Sequence, residues 1–298
     1  MDTKTTEIDI NEWQEYGNGG TARVYIKKDD NTVILKLFKE EGTEKLAEQE
    51  FNNTNAICDR GIPCPKALSL ATDGNRFGII AERLIGKRSF SRMLSEDISC
   101  MDEICSKFAS LAHELHDTEC DVTTFTSTAD YYRRLITESA IYSEKLKGKL
   151  LSYVDEMETS TTCLHGDLTI SNIVTAGGKD FWIDLGNFGY GDPYLDLGRM
   201  YAISHWMPDK YFAPLFHLEM PVFRTFVEKF LKCYLGEEYG LKRTEERLIH
   251  AGLLNLLHFI EDSPRSAQLF LPVLEGNRIK ASLIRFIANH LSVSDRAK

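Results

Sequence analysis

Residues 163–199 read CLHGDLTISNIVTAGGKDFWIDLGNFGYGDPYLDLGR, and the rest of the chain is best read outward from them. The stretch opens on His165-Gly166-Asp167 and reaches Asn172 after four intervening residues. An apolar run then ends in Ile183-Asp184-Leu185-Gly186. Ile173-Val174, the turn at 175–180 and Phe181-Trp182-Ile183 read as strand, turn, strand. A hairpin returns the chain to its starting point, so Asp184 is expected beside Asn172. Phosphoryl transfer from a nucleotide asks for such a set of groups. One carboxylate orients the acceptor hydroxyl and takes its proton, while an amide oxygen and a second carboxylate hold the magnesium that bridges the phosphates. Asp167 suits the first task; Asn172 and Asp184 suit the metal. Each residue alone is ordinary turn chemistry, but together and in this order they are hard to assign to turns.

Upstream, residues 16–26 read as a glycine-rich hairpin. Gly17, Gly19 and Gly20 would let backbone N–H groups approach phosphate oxygens with no side chain in the way; a plain glycine-rich turn is the alternative. Residues 32–38 form an apolar, β-branched strand with one charge, Lys36. An ammonium in such a strand loses hydration unless an anion pairs with it, so Lys36 is expected to have a partner. A helix over 43–60 follows, stopped by Gly61 and Pro63. Strands at 67–71 and 77–81 flank the turn Thr72-Asp73-Gly74-Asn75.

The remainder reads mainly helical. Ile104, Phe108, Leu111, Ala112 and Leu115 give residues 101–118 one buried face, with His116 in a packing or hydrogen-bonding role. One or two helices are expected over 129–154. Asp192-Pro193 starts another whose first turn holds Asp196, and both acids are read as supports of the 165–172 loop. Trp206 and Tyr211 sit in a less regular stretch suited either to the core or to the wall of an acceptor pocket, where aromatics attract a cation. Helices are expected at 244–259 and 277–291, with Glu261-Asp262 as a solvated loop between them.

At 298 residues the chain can hold one large or two ordinary domains. A net charge of -10, from 35 basic and 45 acidic residues, argues against a nucleic-acid footprint and is compatible with a cationic acceptor. The seven cysteines are odd in number, scattered and without a Cys-x-x-Cys pair. No disulfide framework is expected, which points to a reducing compartment. The polar, acidic start lacks the apolar core of a signal peptide, and no stretch is long enough to span a bilayer. The expected location is cytoplasmic.

The block from His165 to Leu197, with Gly191-Asp192-Pro193-Tyr194-Leu195-Asp196-Leu197 at its end, resembles the aminoglycoside phosphotransferase and choline kinase family, distantly similar to protein kinases. The pattern Gly17-x-Gly19-x-x-Ala22-x-Val24 is similar to their phosphate loop. The resemblance implies a two-lobed, protein-kinase-like α+β fold. Residues 1–83 would be a nucleotide-binding lobe, and 84–298 a helical catalytic and acceptor-binding lobe. It implies ATP or GTP as donor and Mg2+ as metal. Lys36 would contact the phosphates, braced by Glu50, with Glu48 the competing register. Residues 82–86 would connect the lobes, the backbone at Glu82 and Leu84 meeting the adenine edge. The acceptor would be a hydroxyl on an aminoglycoside-, amino-alcohol- or sugar-like molecule. Leu185-Gly186 departs from the aromatic and acidic residues of many members, and the extended choline-kinase pattern is absent, which weakens choline as acceptor. A protein kinase is the second reading, opposed by Gly166 where those enzymes carry arginine and by the lack of an Ala-Pro-Glu-like segment. A nucleotide-binding pseudokinase is the third.

Overall fold

The structure, a computed structural model, describes residues 5–276 other than 20 and 263. The chain divides into two compact units. One comprises the chain to Met93 together with Ile170–Phe188; the other comprises Leu94–Thr169 and the chain from Gly189 on. The boundary expected at 83/84 therefore falls inside the first unit. That unit runs on because a strand at Arg88–Ser89 pairs with one at Ile173–Ala176.

In chain order the first unit holds β1 (Thr6–Glu7), β2 (Trp13–Asn18), β3 (Ala22–Lys27), β4 (Val33–Phe38), α1 (Glu44–Asp59), β5 (Ala67–Thr72), β6 (Phe77–Glu82) and β7 (Arg88–Ser89). The division passes through α2 (Phe90–Glu96). The second unit continues with α3 (Met101–His116), α4 (Thr128–Glu138), α5 (Glu144–Asp155) and β8 (Cys163–Leu164). The chain returns to the first unit for β9 (Ile173–Ala176) and β10 (Lys179–Trp182). It then completes the second with β11 (Gly189–Tyr190), α6 (Tyr194–Trp206), α7 (Asp209–Phe216), α8 (Met220–Leu235), α9 (Lys242–Asp262) and α10 (Pro264–Leu274).

Six strands of the first unit form one sheet in the order β1-β5-β6-β4-β3-β2, antiparallel except for the β1–β5 pair. Side chains alternate across a strand, and this decides where the lone charge of β4 goes. Leu35 and Leu37 pack with Trp13, Tyr25 and Ala71 on one face. Phe38 packs on the other with Ala22, Leu70, Ile79 and Ala47 of α1. Lys36 shares that helix-side face. Helix α1 buries Ala47, Glu50, Thr54 and Ile57, a stripe at helical spacing. Gly78 of β6 is needed beside Lys36: a Cβ there would lie 2.0 Å from the Lys36 carbonyl oxygen. A separate sheet, β10-β9-β7, carries the expected hairpin, with Trp182 opposite Ile173.

Among the described residues the regular structure of the second unit is helical apart from the β8–β11 pair. Phe108 of α3 meets the rings of Phe226 and Phe230 of α8 edge-on, at 5.5 and 4.8 Å. Helices α6 and α9 approach closely enough that Gly198 faces the Ala251 backbone, and Asn255 Nδ2 donates to the Leu195 carbonyl at 2.7 Å.

Cys58 and Cys64 are joined in a disulfide, against the expectation of none. The end of α1 and the Gly61–Pro63 turn bring their Cα atoms to 5.8 Å. The stretch around Trp206 and Tyr211 is helical, ending α6 and lying within α7. Glu261 and Asp262 belong to α9 instead of a loop, and Glu261 accepts from Ser139 Oγ at 2.8 Å. The expected helix at 277–291 lies outside the described residues. Among the described residues no helix is long and apolar enough to cross a membrane.

Candidate active site

In the first unit the strand, the helix and the hairpin bring three motif residues into contact and set a fourth, Asn172, on backbone beside them. Lys36 Nζ donates to Glu50 Oε1 and to Asp184 Oδ1, each at 2.7 Å. Burial works against the ammonium, but the carboxylates of Asp184 and Glu50 outweigh it and hold its pKa above the usual lysine value. Glu50 is buried on the stripe of α1 that faces the sheet, whereas Glu48 is exposed. The helical period thus resolves the register that the sequence left open, in favour of Glu50 as the partner of Lys36.

The β9–β10 hairpin closes with Ile183 N–H donating to the Asn172 carbonyl at 3.0 Å, so Asn172 and Asp184 leave neighbouring backbone. Asn172 is buried. Asp184 has φ 60° and ψ 54°, the left-handed region that a non-glycine residue enters at a cost. Gln49 Nε2 and Asn53 Nδ2 of α1 donate to the Gly186 carbonyl at 2.9 and 3.2 Å. These two amides, which sequence reasoning passed over, tie the helix bearing Glu50 to the turn after Asp184.

The glycines expected to form a phosphate loop divide. Gly19 N–H donates to the Ala22 carbonyl at 3.0 Å, and Lys39 Nζ donates to the Gly19 carbonyl at 2.5 Å. A Cβ at Gly19 would sit 3.3 Å from the Ala22 oxygen, while one at Gly17 would make an ordinary contact with Val24. Gly20 lies outside the described residues. Glu82 ends β6, its Oε2 accepting from Lys66 N–H at 3.1 Å, and the Leu84 carbonyl accepts from Lys87 N–H at 3.4 Å. Lys87 was also missed. Burial pulls its pKa down, with Asp184 opposing and the like charges of Lys36 and Arg83 adding to the fall.

In the second unit, the His165-Gly166-Asp167 loop hangs on Asp196. His165 N–H and Gly166 N–H donate to Asp196 Oδ2 and Oδ1 at 2.7 and 2.9 Å. Gly166 has φ 76°, where a side chain would be strained. His116 Nε2 lies 3.1 Å from Asp196 Oδ2, and His116 Nδ1 is 2.7 Å from the Tyr234 hydroxyl. Asp192 accepts from Tyr194 N–H at 3.0 Å and from Glu158 N–H at 2.6 Å, and pairs with Arg247. Asp167 is partly exposed, and Arg199 Nε donates to its Oδ1 at 2.7 Å.

Among the described residues no group of three or more His, Cys, Asp or Glu side chains is arranged to hold a metal on its own. Magnesium, however, commonly takes one or two protein oxygens and completes its shell with phosphate and water. The buried amide of Asn172 and the carboxylate of Asp184 are hard oxygen donors of that kind, so the residues fit the metal.

A family model described as the phosphotransferase enzyme family, APH, matches residues 12–220, more than half of the chain. No curated protein matches. Among solved structures, a thermostable mutant of aminoglycoside phosphotransferase APH(4)-Ia in ternary complex with ADP and hygromycin B is similar at 12% identity. The alignment covers 94% of this chain and 95% of that one, with a TM-score of 0.59. Aminoglycoside-3'-phosphotransferase of type VIII aligns at 20% identity over 82% and 92% of the two chains, TM-score 0.58. A GDP and kanamycin complex of an APH(2") enzyme aligns at 14% identity over 91% and 94%, TM-score 0.58. At these identities the likeness is one of fold, and the fold is the kinase-like one.

Proposed function

The chain belongs to the phosphotransferase enzyme family, enzymes acting on alcohol groups, and from that membership we propose that it moves the γ-phosphoryl of ATP or GTP to a hydroxyl of an aminoglycoside-, amino-alcohol- or sugar-like molecule. The observation that carries the proposal is Lys36 held by both Glu50 and Asp184 at 2.7 Å. With nucleotide bound, Lys36 would keep Glu50 and take phosphate oxygen in place of Asp184, leaving Asp184 available to hold the metal. Magnesium, when bound, supplies charge neutralisation along the phosphates; Asn172 and Asp184 are the residues that would hold it.

Asp167 is the proposed base. It precedes Asn172 by five residues, so one short piece of backbone supplies both the base and a metal ligand. The carboxylate orients the acceptor hydroxyl and receives its proton as the oxygen attacks phosphorus. Gly19 and its neighbours, with Lys36, place the phosphates, and the backbone at Glu82 and Leu84 meets the base of the nucleotide. Complexes with ADP and with GDP among the fold neighbours support a nucleotide donor without choosing between adenine and guanine.

Radiolabelled MgATP and MgGTP should be offered with aminoglycosides, choline-like amines, amino alcohols, sugars and a generic protein acceptor. Label transferred to one small-molecule class supports the proposal. Label on protein alone supports the protein-kinase reading, and tight nucleotide binding without transfer to any acceptor supports the pseudokinase.

A further inference from the structure

Asp167 has a partner that the kinase motif does not require. Arg199 Nε donates to Asp167 Oδ1 at 2.7 Å, with the arginine side chain 15% exposed and the aspartate 27%. The guanidinium carbon stands 4.4 Å from the ring centre of Phe259 of α9. Its Nη1 is buried without a hydrogen bond. Arg199 lies three residues after Asp196, hence on the same side of α6. That one helix therefore holds the 165–167 loop twice, by backbone through Asp196 and by side chain through Arg199.

Resting on the reading of Asp167 as base, we propose that Arg199 is its positioning residue, fixing the carboxylate in one rotamer toward the acceptor hydroxyl. A guanidinium stays protonated and cannot compete as a base. Its planar donor, lying over the Phe259 ring, fixes a direction as well as a charge. A purely stabilising role fits less well, because a largely buried ion pair with one donor unsatisfied is weak support for a fold. Correct orientation of the proton acceptor, by contrast, bears directly on rate.

The test compares the full-length chain with Arg199→Ala, Arg199→Lys and Asp167→Asn, measuring phosphate release from MgATP and MgGTP with water as acceptor. Melting temperatures and the Arg199 Nε–H NMR signal are recorded in parallel. For Arg199→Ala, kcat should fall about 10- to 100-fold with the nucleotide KM within about twofold. Millimolar guanidinium should restore part of that loss, and Arg199→Lys should retain more activity than alanine. Wild-type turnover in Arg199→Ala beside a dead Asp167→Asn overturns the proposal. So does a loss that tracks only the melting temperature and ignores guanidinium. Full turnover in Asp167→Asn instead defeats the reading of the base, and absent phosphate release by the wild type leaves the pair to be decided by the NMR signal. In either event the Nε–H signal still judges the pair: slow solvent exchange that quickens in Asp167→Asn supports it, and fast exchange in the wild type overturns it.

Discussion

Glu50 Oε1 lies 2.7 Å from Lys36 Nζ, with 8% of the glutamate side chain and 17% of the lysine side chain exposed. Removing one member of a largely buried pair leaves the other charge poorly compensated, at a cost of about 3–5 kcal/mol for a fully buried one. Glu50→Gln should raise the Kd for MgATP or lower kcat by about tenfold or more. Glu48→Gln, on the exposed face of the same helix, should leave both unchanged. Isothermal titration and steady-state rates on the two variants check this; equal effects would remove Glu50 from its role.

Two helix glycines should respond oppositely to alanine. A Cβ at Gly198 would stand 2.5 Å from the Ala251 carbonyl carbon and 2.6 Å from its Cβ, and α9 backbone cannot yield cheaply. Gly198→Ala should lose about 1–3 kcal/mol by overpacking. Gly148, exposed within α5, has nothing within 4 Å of such a Cβ. Gly148→Ala should gain about 0.4–1 kcal/mol. Urea midpoints of the two variants decide the matter.

Much of this architecture was legible because its signals are local. The single charge in the apolar run at 32–38 marks Lys36, and Gly61 and Pro63 mark the end of α1. The hairpin pattern brings Asp184 back to Asn172. What escaped is either short or distant. Strands β1, β7, β8 and β11 have two residues each, too few to display a period. Helix α2 has seven residues, and α10 carries Pro264 and Pro272, which disguised it. Whether Glu48 or Glu50 faces the sheet depends on which stripe of α1 packs. The Arg199–Asp167 bond joins residues 32 apart in sequence, beyond the reach of any periodicity. The disulfide depends on how the turn after α1 aims Cys64.

His258 should make stability depend on pH. Its ring lies 3.1 Å from the Tyr132 hydroxyl, and burial, with the Arg199 charge adding, pulls its pKa from 6.5 to about 4. The unfolded chain takes up the proton first as pH falls. The contribution is therefore whole above about pH 6.5 and is lost progressively down to about pH 4, on the order of 2 kcal/mol gone by pH 5. Urea unfolding at pH 7.5 and pH 5 should show this loss in the wild type and a smaller one in His258→Gln. Parallel losses would acquit the imidazole.

Asp196 should couple stability to turnover. Its two oxygens accept the N–H groups of His165 and Gly166, and it is 1% exposed. Asp196→Ala leaves both donors without it and should destabilise by about 2–4 kcal/mol. Nucleotide-dependent turnover should fall even well below the variant's melting temperature. A variant that is less stable but fully active when folded would confine Asp196 to the fold.

In the proposed reaction Asp167 takes the acceptor's proton while Lys36, Asn172 and Asp184 hold the metal-bound nucleotide. The most direct test is Asp167→Asn, with turnover of MgATP or MgGTP and nucleotide affinity measured on the same preparation. In that variant kcat should fall by roughly a hundredfold or more while the nucleotide Kd stays within about threefold. An asparagine variant that keeps most of its turnover would contradict Asp167 as the base.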